Sequence, residues 1–340
     1  MNIIGGRESN IELLRMVCMF MIALRHFVIH PLDGNTLLAT SMTGQLLDAF
    51  CYIGVNCFVL ISGWFQIKFS WKGLLKLYVI CAFYGTLAYI FHLYNDGATV
   101  GRSLIFYALF PFSHSTWWFI NAYLILYLSS PILNLAAKHL NGNQDLFILL
   151  LLAIINVYFG NIMQTTLFND NGYNGSQMIF MYWIGICLRN HLKDEWIKRL
   201  RFLSLIGYIF TSVVFFLLIQ ARERYGWEWM HLGYNNILTI ISACCFFLFF
   251  ASFRFKSKLI NFIGASTLAI YLVQEQSYTG AGFLYPLCGR IYEAIPSLGG
   301  QLLFALSFTV CFYVAVILLD QVRKYINSLI LNLFRRPVRA

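Results

Sequence analysis

Apolar stretches long enough to cross a bilayer recur along almost the whole chain. A helix needs about 20 mainly apolar residues to span the hydrocarbon core, and about ten stretches of roughly that length alternate here with short polar breaks. They are residues 11–31, 45–67, 73–95, 117–137, 145–163, 176–190, 200–220, 234–252, 262–286 and 300–320. The sequence therefore predicts an all-α integral membrane protein with about ten transmembrane helices, forming a single domain over residues 1–340.

The composition excludes a water-soluble globular protein. Of the 340 residues, 59% are hydrophobic and only 11% are charged, whereas soluble domains have about 25% charged residues. The nine Cys residues are scattered, mostly through apolar segments, and form no CxxC pair or Cys/His cluster. Neither a disulfide framework nor a metal site is therefore expected.

Lys and Arg are distributed unevenly between the two sides of the predicted membrane topology. When the N-terminus is placed in the cytoplasm, eighteen of the 24 basic residues fall on the inner side and four on the outer side, and two lie within the first segment. Because Lys and Arg concentrate in cytoplasmic loops, this bias favours an even number of spans with both termini in the cytoplasm. The net charge of +10 then indicates membrane lipid rather than nucleic acid as the partner. We predict a multi-pass protein of a cell inner membrane.

The first apolar segment carries charged side chains that are costly inside a membrane and usually mark function. Arg15 and His26 are eleven residues apart, which places them within about 20° of the same helix face and ~16 Å apart along the axis. Glu12 lies one turn before Arg15, close enough to pair with it, and His30 lies one turn beyond His26. We predict that this stripe lines an interior cavity. Arg25 lies about 80° away from the stripe and is interpreted as a packing or interface residue.

A structural interpretation of the same stripe stays open at this point. Arg15 would then be an anchor at the membrane interface, and His26 a buried histidine held by hydrogen bonds. The full stripe favours function over this alternative, because charged and titratable groups are repeated on one face.

The spacing of the stripe resembles the opening of the membrane acyltransferase-3 family, whose usual form is Leu-Asp-x-x-Arg, ten residues, then His. Glu12 stands at the Asp position, Arg15 at the Arg and His26 at the His. Three later segments are similar to further blocks of that family in the same order. They are Gly54–Phe65 with its Ser62-Gly63 pair, Trp118–Pro131 and Phe262–Gln274.

This sequence departs from the family pattern at several positions. Tyr123 stands where the family often has Glu, and Gln274 stands where it has a late His. A pair of Arg residues that follows the Ser-Gly segment in the family is absent, and Lys72 and Lys76 are the nearest basic residues. The departures bear on the acceptor and on details of the site, and leave Arg15 and His26 in place.

The resemblance implies transfer of an acyl group, usually acetyl from acetyl-CoA, to a hydroxyl of a cell-envelope or lipid-linked polysaccharide sugar, with acyl-CoA as donor and no permanently bound cofactor. A neutral imidazole can take the hydroxyl proton, so His26 is the candidate base, or alternatively the carrier of the acyl group. Arg15 is expected to hold a CoA phosphate or to stabilise oxyanion charge. Glu12 either orients Arg15 or only neutralises it.

Other residues are assigned as candidates for binding the donor and the acceptor. Lys72 and Lys76, like Lys68, either meet CoA phosphates or only follow the positive-inside rule. The candidate substrate-binding residues are Asn56, Trp118, Tyr123 and Glu275. Asn56 either forms a hydrogen bond across the cavity or only packs against its neighbours. Trp118 and Tyr123 either stack on substrate or support helix packing. Glu275 needs a partner because it is a carboxylate within a span. Gly63 is expected to let two helices approach closely.

Two other functions compete with acyl transfer. A transporter or flippase of lipid-linked sugars would also have many spans and buried charges, but no internal repeat of the kind common in transporters is evident. A polysaccharide polymerase usually carries a large outer loop, whereas the longest predicted outer loops here are 96–116 and 287–299. The ordered family blocks favour the acyltransferase.

Overall fold

The computed structural model describes residues 7–97, 101, 106, 109–113, 117–165, 170–227 and 231–335. These residues form helices and connecting turns and include no β-strand, so the all-α prediction is confirmed. The helices are α1 Ser9–Ile29, α2 Leu37–Thr40, α3 Met42–Cys51, α4 Gly54–Phe65, α5 Trp71–Asp96, α6 Trp118–His139, α7 Gly142–Ala153, α8 Gly175–His191, α9 Asp194–Arg199, α10 Arg201–Tyr225, α11 Ile237–Ala251, α12 Lys258–Gly264, α13 Thr267–Gln274, α14 Tyr285–Ala294 and α15 Leu298–Arg335.

Length and composition identify a multi-pass membrane protein. Among the described residues, six helical segments are long and apolar enough to cross a membrane, and a seventh is obtained if α1 and the helical turns after it count as one bent span. The ten predicted spans and the cytoplasmic position of both termini are not confirmed by these helices and stay predictions. The shorter apolar helices are α11 and the segment Lys258–Gln274 formed by α12 and α13.

Local sequence signals account for where several helices begin and end. Ser70 and Ser257 cap α5 and α12 by accepting hydrogen bonds from the backbone N–H groups of Gly73 and Ile260. Asn141 and Gln144 form a capping box at the start of α7, which satisfies donors that the first helical turn leaves free. The chain bends by 78° after α1, at Pro31, where proline cannot continue the helical hydrogen bonds.

The segment predicted at 262–286 is not one helix. It is divided among α12, α13, a π-helical turn at Gly280–Leu284 and the start of α14. Gly280 lies so close to the preceding helix that an added Cβ would be 1.9 Å from the carbonyl oxygen of Gln274. Glu275 sits at the break, as the C-cap of α13. Because residues 285–294 form α14, most of the stretch predicted as an outer loop at 287–299 is helical.

The bundle has two ends, which are identified by polar contacts between neighbouring segments. At the basal end, where α1 begins, Arg254 lies 3.7 Å from Glu8 and 3.5 Å from Asp194, measured between side-chain nitrogen and oxygen atoms. At the distal end, where α1 finishes, Gln45 of α3 donates a hydrogen bond of 2.8 Å to Glu223 of α10. The names basal and distal are used below in this sense.

Helices α4 and α8 cross without side chains between their backbones. A Cβ added at Gly63 would lie 2.0 Å from the carbonyl oxygen of Tyr182, and one added at Gly185 would lie 2.5 Å from that of Leu60. The prediction that Gly63 permits close approach is thus confirmed. The crossing fixes the position of α4, which also contributes Val55, Phe58 and Ser62 to a cavity in the bundle.

Replacing Gly63 with Ala is expected to destabilise the protein by about 1–3 kcal/mol, because the added methyl group forces α4 and α8 apart. The measurement is thermal unfolding of the detergent-solubilised protein. Gly299→Ala is the matched control, since nothing lies within 4 Å of a Cβ added at that helical position. Equal unfolding temperatures for the two variants would contradict the close crossing.

Candidate functional site

A cavity of about 230 Å³ lies within the helical bundle beside α1. Side chains from α1, α4, α5, α6 and α13 form its walls. The lining residues are Arg15, Met19, Ile22, Val55, Phe58, Ser62, Leu77, Phe119, Ile120, Tyr123, Thr267, Leu268 and Tyr271. The walls are mainly apolar, with a few polar groups that converge from different helices, which is typical of small-molecule sites. We call this the central cavity.

Of the stripe predicted on α1, Arg15 lies on the face that lines the central cavity, whereas Glu12, His26 and His30 are not lining residues. Arg15, Met19 and Ile22 occupy successive turns of that face, and His26 follows one turn farther towards the distal end. Arg15 and His26 are therefore separated by ~16 Å along α1. Arg15 is a cation in the cavity wall, and His26 is an imidazole one turn beyond Ile22, the last lining residue of α1.

Arg15 is held at the basal part of the cavity by Glu12. Its Nη1 atom donates a hydrogen bond of 2.5 Å to Glu12 Oε1, and 31% of the Arg15 side chain is exposed. Glu12 is buried, with its other oxygen 3.9 Å from Arg7 Nη1, and a Cβ added at Gly264 would touch it. Glu12 thus lies behind Arg15, and Arg15 faces the cavity.

His26 meets Glu275 at the distal side. The Nδ1 atom of His26 lies 2.8 Å from Glu275 Oε1, although the ring N–H is not aligned well enough to count as a hydrogen bond. Tyr285 donates to the Gln274 carbonyl at 2.9 Å and reaches Glu275 Oε1 at 3.4 Å. Glu275 therefore has the partner that a carboxylate within the bundle requires.

The pair places a carboxylate beside the imidazole. A carboxylate next to Nδ1 favours the tautomer in which Nδ1 carries the proton, so that the lone pair of Nε2 is free to accept one. The break after α13 and the turn through Gly280 bring Glu275 to this position. Sequence separation gives no sign of the contact, because the partners are 249 residues apart.

His26, His30 and Glu275 could also hold a metal ion. They offer three ligand atoms within 4.8 Å of one another, the one such group found among the described residues. The rings of His26 and His30 have centroids 4.9 Å apart, as the predicted stripe requires. Two imidazoles and a carboxylate suit a divalent transition metal, in which case His26 would be a ligand instead of a base.

The other predicted site residues lie at different distances from the central cavity. Tyr123 lines it and has its hydroxyl 3.2 Å from that of Ser62. Lys72 and Lys76 are exposed on α5 and do not line the cavity, whereas the neighbouring Leu77 does.

Trp118 and Asn56 lie on the distal side. The ring of Trp118 packs against Tyr173, with centroids 4.4 Å apart, and against Tyr234. Asn56 is buried, and its side-chain amide donates a 2.9 Å hydrogen bond to the carbonyl oxygen of Tyr234. Asn56 thus supports the loop that carries Tyr234 and lies outside the cavity lining.

Arg25 is the main example of a residue whose partners could not be predicted from the sequence. Its Nε donates to Asp48 Oδ1 at 2.5 Å, and its guanidinium carbon lies 4.5 Å from the centre of the Tyr52 ring. The interpretation of Arg25 as a packing residue is therefore incomplete, because the side chain belongs to a partly buried ion pair. Its charge within an apolar helix was the available signal, but only the fold shows Asp48 as its partner.

Comparison with known proteins identifies the family. A family model described as "Acyltransferase domain", of acyltransferase family 3, matches residues 8–320 of the 340. The resemblance seen in the ordered motifs is thus confirmed. No curated protein and no solved structure matches the chain.

Proposed function

This chain belongs to the acyltransferase-3 family of multi-pass membrane proteins, and we propose that it moves an acyl group, acetyl in the simplest case, from acyl-CoA to a sugar hydroxyl. The acceptor in this proposal is a cell-surface or lipid-linked polysaccharide. The basal end faces the cytoplasm of a cell with an inner membrane, where acyl-CoA is present, and the distal end faces outwards.

One observation carries the proposal. Arg15 and His26 lie along a single face of α1, with the lining residues Met19 and Ile22 between them, and Glu275 meets His26 from the end of α13. A donor that binds with its charged part at Arg15 can extend its acyl end through the central cavity towards His26. The mainly apolar walls of the cavity favour the acyl chain over water.

The proposed reaction uses His26 as general base. Nε2 takes the proton of the acceptor hydroxyl while its oxygen attacks the thioester carbonyl carbon. The new C–O ester bond forms, the C–S bond breaks, and the proton held by the imidazole passes to the departing CoA sulfur. Glu275 orients the ring and stabilises its transient positive charge. An acyl group carried on His26 itself is the alternative route.

The basal end supplies cations for the nucleotide part of the donor. Arg15 faces the cavity and retains nitrogens besides the one bonded to Glu12, so a phosphate can accept from it. Lys72 and Lys76 are exposed and, in this proposal, contact further phosphates as the donor enters. Arginine and lysine are the usual partners of phosphate in proteins.

The distal end supplies surfaces for the acceptor. Trp118 contributes an aromatic ring there. Tyr123 offers a hydroxyl from the cavity wall, nearer to Arg15, where it lies 3.2 Å from the Ser62 hydroxyl. Asn56 contributes indirectly, because it holds the carbonyl group of Tyr234.

Deleting the gene is expected to remove ester-linked acetyl groups from the envelope glycan of the source cell, and expression of the parent protein should restore them. The measurement is release of acetate from purified glycan by mild base. Total glycan export serves as the control and should not change. If every acyl ester persists after deletion while glycan export falls, the protein is a transporter and the proposal is wrong.

A further inference from the structure

We propose that Arg25 and Asp48, with the rings of Tyr52, Trp118, Tyr173 and Tyr234, form the subsite that binds the acceptor sugar, and that the sugar bound there is uncharged. This inference rests on the proposed acyl transfer and specifies where its acceptor lies. The six residues are called the acceptor subsite below.

The Arg25–Asp48 pair has unused capacity for hydrogen bonds. Only 12% of the Arg25 side chain and 22% of the Asp48 side chain are exposed. Within the part of the chain that the structure describes, the pair is joined through Arg25 Nε and Asp48 Oδ1, and the two Nη groups and Oδ2 form no hydrogen bond. Two donors and an acceptor side by side match neighbouring hydroxyl groups of a sugar, each of which both donates and accepts.

Aromatic rings surround this pair. Tyr52 and Tyr234 have ring centroids 4.9 Å apart, Tyr234 and Tyr173 also 4.9 Å, and Tyr173 and Trp118 4.4 Å. The guanidinium carbon of Arg25 lies 4.5 Å from the centre of the Tyr52 ring. Tyr173 is 41% exposed, so the cluster is open on one side. Apolar ring faces beside a few polar groups are the usual composition of a small-molecule site.

The subsite lies next to the distal end of the central cavity, the end nearer to His26. On α1, Arg25 and His26 follow the lining residue Ile22 by about one turn. Tyr52 lies just before α4, about one turn before the lining residue Val55. On α6, Trp118 directly precedes the lining residue Phe119. The subsite residues and His26 are therefore at a similar depth, one turn beyond the cavity. An acceptor held there can direct a hydroxyl towards the base.

A second cavity lies at the distal end and includes Asp48 of the subsite in its wall. It has a volume of about 370 Å³, is lined by Asp48, Thr40, Gln45 and Glu223 among others, and contains no Lys or Arg among its described lining residues. Two carboxylates disfavour an anion in this cleft, since like charges repel. Asp48 also neutralises Arg25. The chemistry therefore favours an uncharged, hydroxyl-rich ring over a carboxylate or phosphate.

Two variants of the subsite test this assignment in proteoliposomes. The measured rate is transfer from radiolabelled acetyl-CoA to envelope glycan extracted from the source cell. Asp48→Asn and Tyr173→Ala are each expected to raise the KM for the glycan by roughly tenfold, the effect of losing one hydrogen bond to a charged group or one contact surface. The KM for acetyl-CoA should stay unchanged, because the donor lies on the basal side.

Matched controls separate the subsite from general effects on folding. Asp33→Asn changes an exposed distal carboxylate, and Tyr94→Ala removes a ring that is 91% exposed. Both should behave like the parent protein. Because Tyr173 is exposed on a loop, its variant is expected to fold even if the Asp48 variant is less stable, and the thermal unfolding of each protein is measured alongside.

Each contrary result has a distinct meaning. A lower KM for the glycan in Asp48→Asn would show that the acceptor is anionic and would overturn its assigned class. An unchanged KM in both variants, with the parent active, would place the acceptor elsewhere while leaving the acyltransferase intact. No transfer by the parent protein to any glycan fraction would contradict the proposed function. The acceptor subsite would then be wrong as well.

Discussion

Replacing His26 with Ala is expected to lower acyl transfer by about 10²- to 10⁴-fold, the usual contribution of a positioned general base. The loss follows because a sugar hydroxyl is a weak nucleophile unless its proton is removed as attack begins. His26 is the imidazole one turn beyond the cavity-lining residue Ile22 on α1, 2.8 Å from Glu275. The measurement is initial transfer from radiolabelled acetyl-CoA to extracted glycan.

His139→Ala is the matched control, since His139 is an exposed histidine at the end of α6 and should leave the rate unchanged. Glu275→Gln should cause a smaller loss than His26→Ala, because the base remains but loses its orienting charge. Full activity in a well-folded His26→Ala protein would show that His26 is structural. Loss of activity on treatment with EDTA, restored by Zn²⁺, would instead identify the His26, His30 and Glu275 cluster as a metal site.

Replacing Arg15 with Gln is expected to raise the KM for acetyl-CoA by roughly 10- to 100-fold, because charge-assisted hydrogen bonds to phosphate are among the strongest polar contacts. The single variant leaves the buried Glu12 carboxylate without its 2.5 Å partner, which also destabilises the protein. The double variant Glu12→Gln/Arg15→Gln removes both charges and isolates the effect on the donor. Lys256→Gln, at an exposed basal position, is the control.

A short thioester distinguishes the two roles proposed for Arg15. S-acetyl-N-acetylcysteamine carries the acyl group but no phosphate. If Arg15 binds phosphate, the double variant should use this donor as fast as the parent does. If Arg15 stabilises the oxyanion, the rate with both donors should fall. Unchanged kinetics with acetyl-CoA in the double variant would exclude both roles.

Local spacing predicted the contacts within α1. The Glu12–Arg15 pair and the proximity of His26 to His30 follow from positions three and four residues apart on one helix, because the helix geometry is nearly the same in every protein. The confirmed helical class and the confirmed family followed from apolar periodicity and from the order of four motifs. The close approach at Gly63 was also predictable, since glycine lacks the side chain that would keep two helices apart.

Contacts between distant segments could not be predicted in this way. Asn56 was a candidate for binding substrate, yet its amide reaches the Tyr234 carbonyl from 178 residues away. Arg25 looked like a packing residue because its partner, Asp48, lies on a different helix. Lys72 and Lys76 match a charge pattern, but the cavity wall beside them is formed by Leu77. In each case the missing information was which face of one helix meets which face of another.

The sequence by itself determined that this chain is a helical membrane protein with a polar stripe from Glu12 to His30, because burial in lipid forces backbone hydrogen bonds to close within each helix and makes charges conspicuous. Only the tertiary structure decided that a break after Gln274 turns Glu275 towards His26, and that Arg25 meets Asp48 among aromatic rings. The physical reason is that hydropathy fixes which segments become helices, whereas their rotation and pairing depend on side-chain packing between segments hundreds of residues apart.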